Sequence, residues 1–155
     1  MRKLFILLLY TAFSCSSDTP VNMDKVLFDS GGRFKSLESK KVYSGPGFKE
    51  YRNGKKQEQG PIEYGWKTGK WTGWYEDGRK KYEGEYLEGV PDGPWTGFYP
   101  NGQKKYEGSY KFGFQVGKWA YFNKKGTKRL EEDYFVCDEE CDKTHPSLGK
   151  IIYSE

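Results

Sequence analysis

The chain has 155 residues, which predicts a single domain rather than several. Its 26 basic and 22 acidic residues leave a net charge of only +4, too small a basic excess to predict a nucleic-acid-binding protein. Ten Phe, thirteen Tyr and five Trp carry most of the apolar character beside twenty Gly, and this composition favours β-strands and tight turns over helices.

The N-terminal segment has the layout of a secretory signal peptide. A short positive start, Arg2-Lys3, precedes an apolar run of ten residues from Leu4 to Phe13, and Ser14 follows. At about 1.5 Å per residue, such a run is too short for a hydrocarbon core of roughly 30 Å, so we do not expect a membrane-spanning helix. Residues 1–14 are therefore predicted to direct export.

The next residue, Cys15, makes this prediction more specific. The segment from Ala12 to Cys15 resembles a bacterial lipoprotein signal, in which cleavage leaves an acylated cysteine at the start of the mature chain. More than one acyl chain gives stable membrane attachment. The alternative is an ordinary signal peptide with a chance cysteine. Residues 15–25 are then the lipidated cysteine and a flexible polar tether, and the expected location is the envelope, attached to the outer membrane on its periplasmic or surface side.

An internal repeat organises the middle of the chain. Residues 71–94 and residues 95–118 are identical at 13 of 24 positions, and weaker copies begin at Gly47 and Trp119. A period in the twenties is typical of stacked supersecondary units.

Each copy contains one turn signal between two short strands. The four turn pairs are Asn53-Gly54, Asp77-Gly78, Asn101-Gly102 and Lys125-Gly126. Asn-Gly and Asp-Gly favour type I′ hairpin turns, in which both residues need positive φ. In the following strand Tyr82, Gly84 and Tyr86 should share one face, and Lys81, Glu83 and Glu85 the other. The segment from Leu87 to Pro94 is turn-rich and is predicted to carry the chain to the next hairpin.

A glycine between two tyrosines, such as Gly84, leaves a slot in which a neighbouring aromatic ring can lie flat on the backbone. Trp71, Trp95 and Trp119 supply one such ring per repeat. Burying each ring is worth about 2–3 kcal/mol, so a ladder of them can replace an aliphatic core. The predicted fold is all-β: an elongated single sheet of tandem antiparallel β-hairpins, roughly 40 Å long at about 4.8 Å per strand.

The pattern Tyr-Glu-Gly-x-Tyr, then Gly-x-Trp-x-x-Phe/Tyr-Tyr-x-Asn-Gly, resembles the MORN repeat in its bacterial variant class. The terminal copies depart from it, with Gly47 in place of the tryptophan and Glu132 in place of the glycine, as expected of repeats that cap an array. The repeat domain is predicted at residues 47–135, and residues 26–46 are predicted to be a half-repeat or cap. The resemblance implies a scaffold or binding surface without catalytic residues or cofactors, as in similar antitoxins of toxin–antitoxin systems.

The C-terminal tail, residues 136–155, contains Cys137, Cys141 and the single histidine, His145. If Cys15 is acylated, two cysteines remain in an oxidising compartment, which favours a Cys137–Cys141 disulfide. Metal binding and free thiols are the alternatives. We expect no metal site, because the C-x3-C-x3-H spacing is not a standard zinc pattern.

The candidate binding surface combines an aromatic row with lysines that follow the turns. Trp74, Phe98 and Phe122 have the opposite strand parity to the ladder tryptophans, and the lysines are Lys80, Lys81, Lys104 and Lys105. An exposed aromatic row rimmed by charges suits a protein or glycan partner. Alternatively, the sheet curls and covers both rows. The lysines either contact lipid phosphates or, as we favour, protect exposed strands from aggregation.

Catalysis is not expected, because a second histidine and a nucleophile elbow are both missing from the sequence. The expected function is a non-catalytic, membrane-anchored repeat protein that presents a β-surface to a protein or envelope partner. One alternative is an antitoxin-like or immunity-like protein that neutralises a cognate toxin by direct binding. Another is a structural envelope lipoprotein without a specific ligand.

Overall fold

A computed structural model of the chain describes residues 19–134 and residues 151–152. The signal peptide, Cys15 and the cysteine pair at Cys137 and Cys141 lie outside these residues. Within them, no helix is long and apolar enough to cross a membrane. The only helix described is α1, Met23–Val26. The strands are β1 Val21–Asn22, β2 Leu27–Ser30, β3 Arg33–Ser36, β4 Gly45–Glu50, β5 Lys56–Glu63, β6 Trp66–Lys67, β7 Gly69–Trp74, β8 Lys80–Leu87, β9 Val90–Phe98, β10 Lys104–Lys111, β11 Phe114–Phe122, β12 Lys128–Tyr134 and β13 Ile151–Ile152.

The fold is all-β, as predicted, and is dominated by one large sheet. Its strand order is β1-β4-β5-β7-β8-β9-β10-β11-β12-β13, with β6 paired to β5. Neighbours pair antiparallel, except that β1 runs parallel to β4. Ten strands in this path extend the sheet to about 43 Å at about 4.8 Å per strand. The prediction of an elongated sheet of tandem antiparallel hairpins is confirmed.

The Asn-Gly and Asp-Gly turns lie in a row along one side of the sheet, at the ends of the strands, and each such row of turns is called here an edge of the sheet. These turns are not type I′ turns, so that prediction was wrong. In the first of them only Gly54 has positive φ, at 79°, and its N–H donates to the Tyr51 carbonyl at 3.0 Å. The Tyr51 N–H in turn donates to the Lys55 carbonyl at 2.8 Å. Three residues thus form the loop, with the left-handed glycine third, and Asn53 contributes its side-chain oxygen to the Lys55 N–H at 3.0 Å.

The type I′ turns lie at the opposite edge. Tyr64-Gly65, Glu88-Gly89 and Phe112-Gly113 have φ values of 48° and 81°, 48° and 86°, and 49° and 85°. Leu87 pairs directly with Val90 across the second of these turns. The segment from Leu87 to Pro94, predicted to be a turn-rich connection, is therefore a two-residue turn followed by the first half of β9. A type I′ turn matches the twist of the flanking strands, so the meander continues without interruption.

The predicted ring-on-glycine packing is confirmed. A Cβ atom on Gly60, Gly84 or Gly108 would overlap the indole of Trp71, Trp95 or Trp119, respectively. The three tryptophans are only 0%, 9% and 1% exposed. The sequence analysis missed a second set of slots, in which Tyr82 lies on Gly73 and Tyr106 on Gly97. One face of the sheet, called here the ladder face, therefore carries a layer of aromatic rings that bury one another against the backbone.

The N-terminal segment caps the first end of the ladder face. Met23 and Leu27 form a buried cluster with Ile62 and Trp71. Strands β2 and β3 pair in a separate two-stranded sheet, which adjoins the first type I′ turn through a 2.8 Å hydrogen bond from the Phe34 N–H to the Gly65 carbonyl. This segment accounts for the complete burial of Trp71.

Candidate functional site

The predicted aromatic row lies at the ends of three strands, on the face opposite the ladder. Trp74, Phe98 and Phe122 are half-buried and pair in register with Lys80, Lys104 and Lys128. Their main-chain carbonyls accept hydrogen bonds from the hydroxyls of Tyr51, Tyr75 and Tyr99 at 2.8, 2.7 and 2.9 Å. Each hydroxyl comes from the preceding repeat. The backbone beneath the row is therefore fixed from one repeat to the next.

The lysines beside this row belong to ion pairs that repeat with it. Lys80 Nζ lies 2.8 Å from Glu83 Oε2, and Lys104 Nζ lies 2.6 Å from Glu107 Oε2. Lys128 pairs with Glu131 in the same way and lowers the pKa of that carboxyl through a hydrogen bond. In each of these three pairs the lysine and the glutamate belong to the same strand. Because each of these three lysines has a carboxylate partner, the ion pairs add little net charge beside the aromatic row.

The side chains of Lys81 and Lys105 do not join these ion pairs. For β8 this corrects the expectation that Lys81 shares a face with Glu83. A β-bulge opposite Trp74 inserts one extra residue, so that Lys80, and not Lys81, reaches Glu83. Lys81 Nζ instead lies 5.8 Å from the ring centroid of Tyr75. Lys105 Nζ lies 5.9 Å from that of Tyr99. Lys81 also lines a small cavity together with Tyr82, a residue of the ladder face.

A half-buried ionic cluster lies at the capped end of the ladder face. Lys67 Nζ is 2.7 Å from Glu58 Oε2 and 4.1 Å from the ring centroid of Trp71. The Tyr82 hydroxyl donates to the same carboxylate at 2.8 Å. Burial lowers the pKa of Lys67, and the charge of Glu58 opposes this shift. Burial also raises the pKa of Tyr86 to about 12, with a smaller contribution from Glu58. The sequence held one signal of this cluster, because Glu58 occupies a position at which the next two repeats have a tyrosine.

The edge formed by the type I′ turns carries the four most exposed large apolar side chains of the described residues, and the sequence analysis missed them. This apolar turn row comprises Tyr64, Leu87, Val90, Phe112 and Phe114, which are 75%, 44%, 40%, 64% and 67% exposed. The available signal was a glycine that recurs once per repeat, at positions 65, 89 and 113, and is flanked by large residues.

The residues described here define a class of protein: a β-repeat protein in which one large sheet dominates and packs aromatic rings against one another on one face. Comparisons of the chain with protein-family models, curated proteins and solved structures found no match. The resemblance to MORN repeats therefore stays a prediction. Among residues 19–134 and 151–152, no group of three His, Cys, Asp or Glu side chains is arranged to hold a metal ion.

Proposed function

We propose that this chain is a non-catalytic binding protein of the bacterial cell envelope, anchored through an acylated Cys15. Its sheet presents the face that carries Trp74, Phe98 and Phe122 to a protein partner. The observation that carries this proposal is the recurrence, in each of the last three repeats, of one half-buried aromatic ring beside one Lys–Glu ion pair.

The spacing of these units suits an extended protein surface. Successive rings are two strands apart, or about 10 Å. Aromatic anchors with a polar rim are typical of the centre of protein interfaces. Strands β9, β10 and β11 make their main contacts with their own neighbours in the sheet, so other described elements leave this face largely open.

The charge pattern favours a partner with an apolar ridge and charges of both signs. Lys80 and Lys104 already have carboxylate partners, so the row offers little net attraction for phosphate groups. The rings of the row are half-buried, so a partner would cover ring edges and adjoining aliphatic stems rather than enclose whole side chains.

The binding face is tested by crosslinking the full chain in intact cells and recovering its partners. Trp74→Ser/Phe98→Ser is expected to reduce recovery of the partner about tenfold or more, because interface aromatics dominate binding energy. Leu37→Ser, which removes an exposed apolar side chain outside this face, is the control. Circular dichroism must show that both variants fold. Unchanged recovery with Trp74→Ser/Phe98→Ser would exclude this row as the binding surface.

The anchor is tested separately by growing cells with labelled palmitate. The wild-type chain is expected to take up label and to fractionate with membranes, and Cys15→Ala is expected to do neither. A Cys15→Ala chain that still incorporates label and remains in the membrane fraction would show that the anchor is assigned wrongly.

A further inference from the structure

We infer that the edge of the three-residue loops binds an acidic polysaccharide, which lies along a row of cations beside these loops. This basic row comprises Lys81, Lys105 and Arg129, which stand 24 residues apart in the sequence, one in each of three repeats. The row is separate from the aromatic residues of the proposed partner face. Only the choice of a polysaccharide rests on the proposed function, because the bacterial envelope contains such polymers.

A β-bulge places each cation of the row outside the pairing of its strand. In β8 the register skips Lys81, which lies between the paired residues Lys80 and Tyr82. Lys105 and Arg129 are skipped in the same way in β10 and β12. Because successive repeats are two strands apart, the cations follow one another at intervals of about 10 Å. The bulges therefore set a regular, linear array of positive charge.

The cations of the row keep their charge unpaired. Among residues 19–134 and 151–152 none of the three has a carboxylate partner, in contrast to the neighbouring lysines of the ion pairs. Lys81 and Lys105 lie beside the rings of Tyr75 and Tyr99, which are fixed because their hydroxyls donate to carbonyls of the next repeat. All three cations are exposed. The row thus offers positive charge from ordered positions.

The positive charge of the chain is concentrated at this edge. The four loops, with the residues that begin the strands after them, contain 12 basic and 2 acidic residues, at positions 51–56, 75–81, 99–105 and 123–129. The rest of the chain contains 14 basic and 20 acidic residues. A net charge of +10 at the edge and −6 elsewhere attracts a polyanion to the edge and holds it away from the remaining surface.

The tips of the loops favour a thin polymer over a flat anionic surface. The second tip carries Glu76 and Asp77, so a membrane in contact with all four tips would meet two carboxylates. The four tips, residues 52–54, 76–78, 100–102 and 124–126, also contain no aromatic residue and no Leu, Ile, Val or Met. Protein partners and single-stranded nucleic acids depend on such side chains as anchors or stacking platforms. An acidic polysaccharide needs only the row of cations.

The first end of the row opens into a cavity of about 210 Å³, which Lys49 and Lys81 both line. Lys49 has only a distant contact with a carboxylate, 3.9 Å from Asp24 Oδ1. Glu58 also lines the cavity, but the Lys67 Nζ lies 2.7 Å from its Oε2 and offsets its charge. The cavity therefore suits one acidic group at the end of the bound polymer.

The first experiment measures binding of the purified full chain to labelled polygalacturonate, which carries one carboxylate on each sugar, with neutral dextran as the control polymer. Lys81→Gln/Lys105→Gln/Arg129→Gln is expected to raise Kd about tenfold, because each exposed charge contact contributes about a factor of two. The matched control Lys40→Gln/Lys41→Gln/Lys70→Gln removes three exposed lysines elsewhere and should change Kd by less than about twofold. Equal losses in both variants, or binding to polygalacturonate no tighter than to dextran, would refute the basic row.

The same two variants distinguish a polysaccharide from other polyanions. Binding to vesicles that contain phosphatidylglycerol and to duplex DNA is measured at the same ionic strength. An acyl anchor contributes equally to the wild-type chain and to both variants, so only the differences between them are compared. We expect both variants to differ little in these two assays. A loss of vesicle or DNA binding specific to the basic-row variant, and as large as its loss of polygalacturonate binding, would overturn the choice of a polysaccharide.

A second experiment needs no substitution. A carbodiimide joins the carboxylates of bound polygalacturonate to nearby lysine amines of the wild-type chain, and mass spectrometry of the digested chain locates the adducts. Adducts are expected at Lys81 and Lys105 before Lys40 and Lys70. Adducts spread evenly over the exposed lysines would contradict the proposal. None of these measurements depends on where the chain resides in the cell, which the labelling of Cys15 decides separately.

Discussion

The substitution Gly84→Ala tests the aromatic ladder directly, because two physical effects predict opposite signs. Gly84 does not have a positive φ, so alanine can adopt its backbone conformation. Reduced entropy of the unfolded chain alone would then stabilise the protein by about 0.4–1 kcal/mol. A Cβ atom at this position, however, would overlap the indole of Trp95. That indole stacks on Tyr82 with ring centroids 5.3 Å apart, so it cannot stay in place.

The magnitude follows from the burial of Trp95, which is only 9% exposed. An indole buries about 200 Å², and at about 25 cal/mol per Å² its complete expulsion would cost about 5 kcal/mol. Moving the ring partly outwards would expose about half of this area and disturb the edge contacts of Tyr86 and Tyr110, at centroid distances of 5.3 and 5.4 Å. We therefore expect a net destabilisation of about 2–3 kcal/mol, within the range known for overpacked cores.

The assay is urea unfolding of the full chain, followed by tryptophan fluorescence and by far-ultraviolet circular dichroism. The control is a double-mutant cycle with Trp95→Ala, in which Gly84→Ala should be neutral or slightly stabilising because its Cβ meets no ring. The expected coupling free energy is about 2–4 kcal/mol. Equal losses of stability in the two backgrounds, or stabilisation of the wild-type chain by Gly84→Ala, would refute the packing of the ring on the glycine.

Three further predictions concern hydrogen bonds and titration. Asn101→Ala removes the side-chain donor to the Lys124 carbonyl and the acceptor for the Gln103 N–H, so the free energy of unfolding in urea should fall by about 1–2 kcal/mol. An unchanged free energy of unfolding would show that these hydrogen bonds do not stabilise the contact between the two repeats. Lys67→Met leaves the half-buried Glu58 without its ammonium partner, so the free energy of unfolding should fall by about 1–3 kcal/mol. Part of this loss should be recovered in Glu58→Gln/Lys67→Met, because the double variant has no unpaired carboxylate. An equal or larger loss of stability in the double variant would contradict the pairing. Because burial and the nearby Glu58 raise the folded-state pKa of Tyr86 to about 12, above about 10 when unfolded, its contribution is complete below about pH 10 and is lost as the pH rises towards 12. The melting temperature should fall across this window less steeply for Tyr86→Phe, and an identical slope in both proteins would refute the shift.

The period, the hairpins and the glycine slots could be predicted because each is encoded in neighbouring residues. The alternation of Tyr82, Gly84 and Tyr86 fixes which side chains share a face, and the absent side chain of Gly84 leaves room for a ring. These features depend on the strand period alone. The assignment of side chains to the two faces therefore stays correct even where the predicted turn boundaries are wrong.

The turn types and the position of the lysines could not be predicted in the same way. Asn-Gly fits a type I′ turn, and it also fits a three-residue loop that ends in a left-handed glycine. The choice depends on which flanking residues pair across the strands, such as Tyr51 with Lys55. The bulge opposite Trp74 has no signature in the sequence, yet it decides that Lys80 and not Lys81 meets Glu83.

The two long edges of the sheet use different groups to join the repeats, and this difference explains where the residues of the repeat vary. At the edge of the three-residue loops, side chains make the joins: the hydroxyls of Tyr51, Tyr75 and Tyr99 bond to the next repeat. At the type I′ edge, the glycine N–H groups make the joins, so the adjacent side chains are free of that task. The residue before the glycine is accordingly Tyr64, Glu88 and Phe112 in successive repeats, whereas the tyrosine at the other edge is retained through all three. The identity of this residue can therefore change from repeat to repeat without breaking the hydrogen bonds that join the repeats.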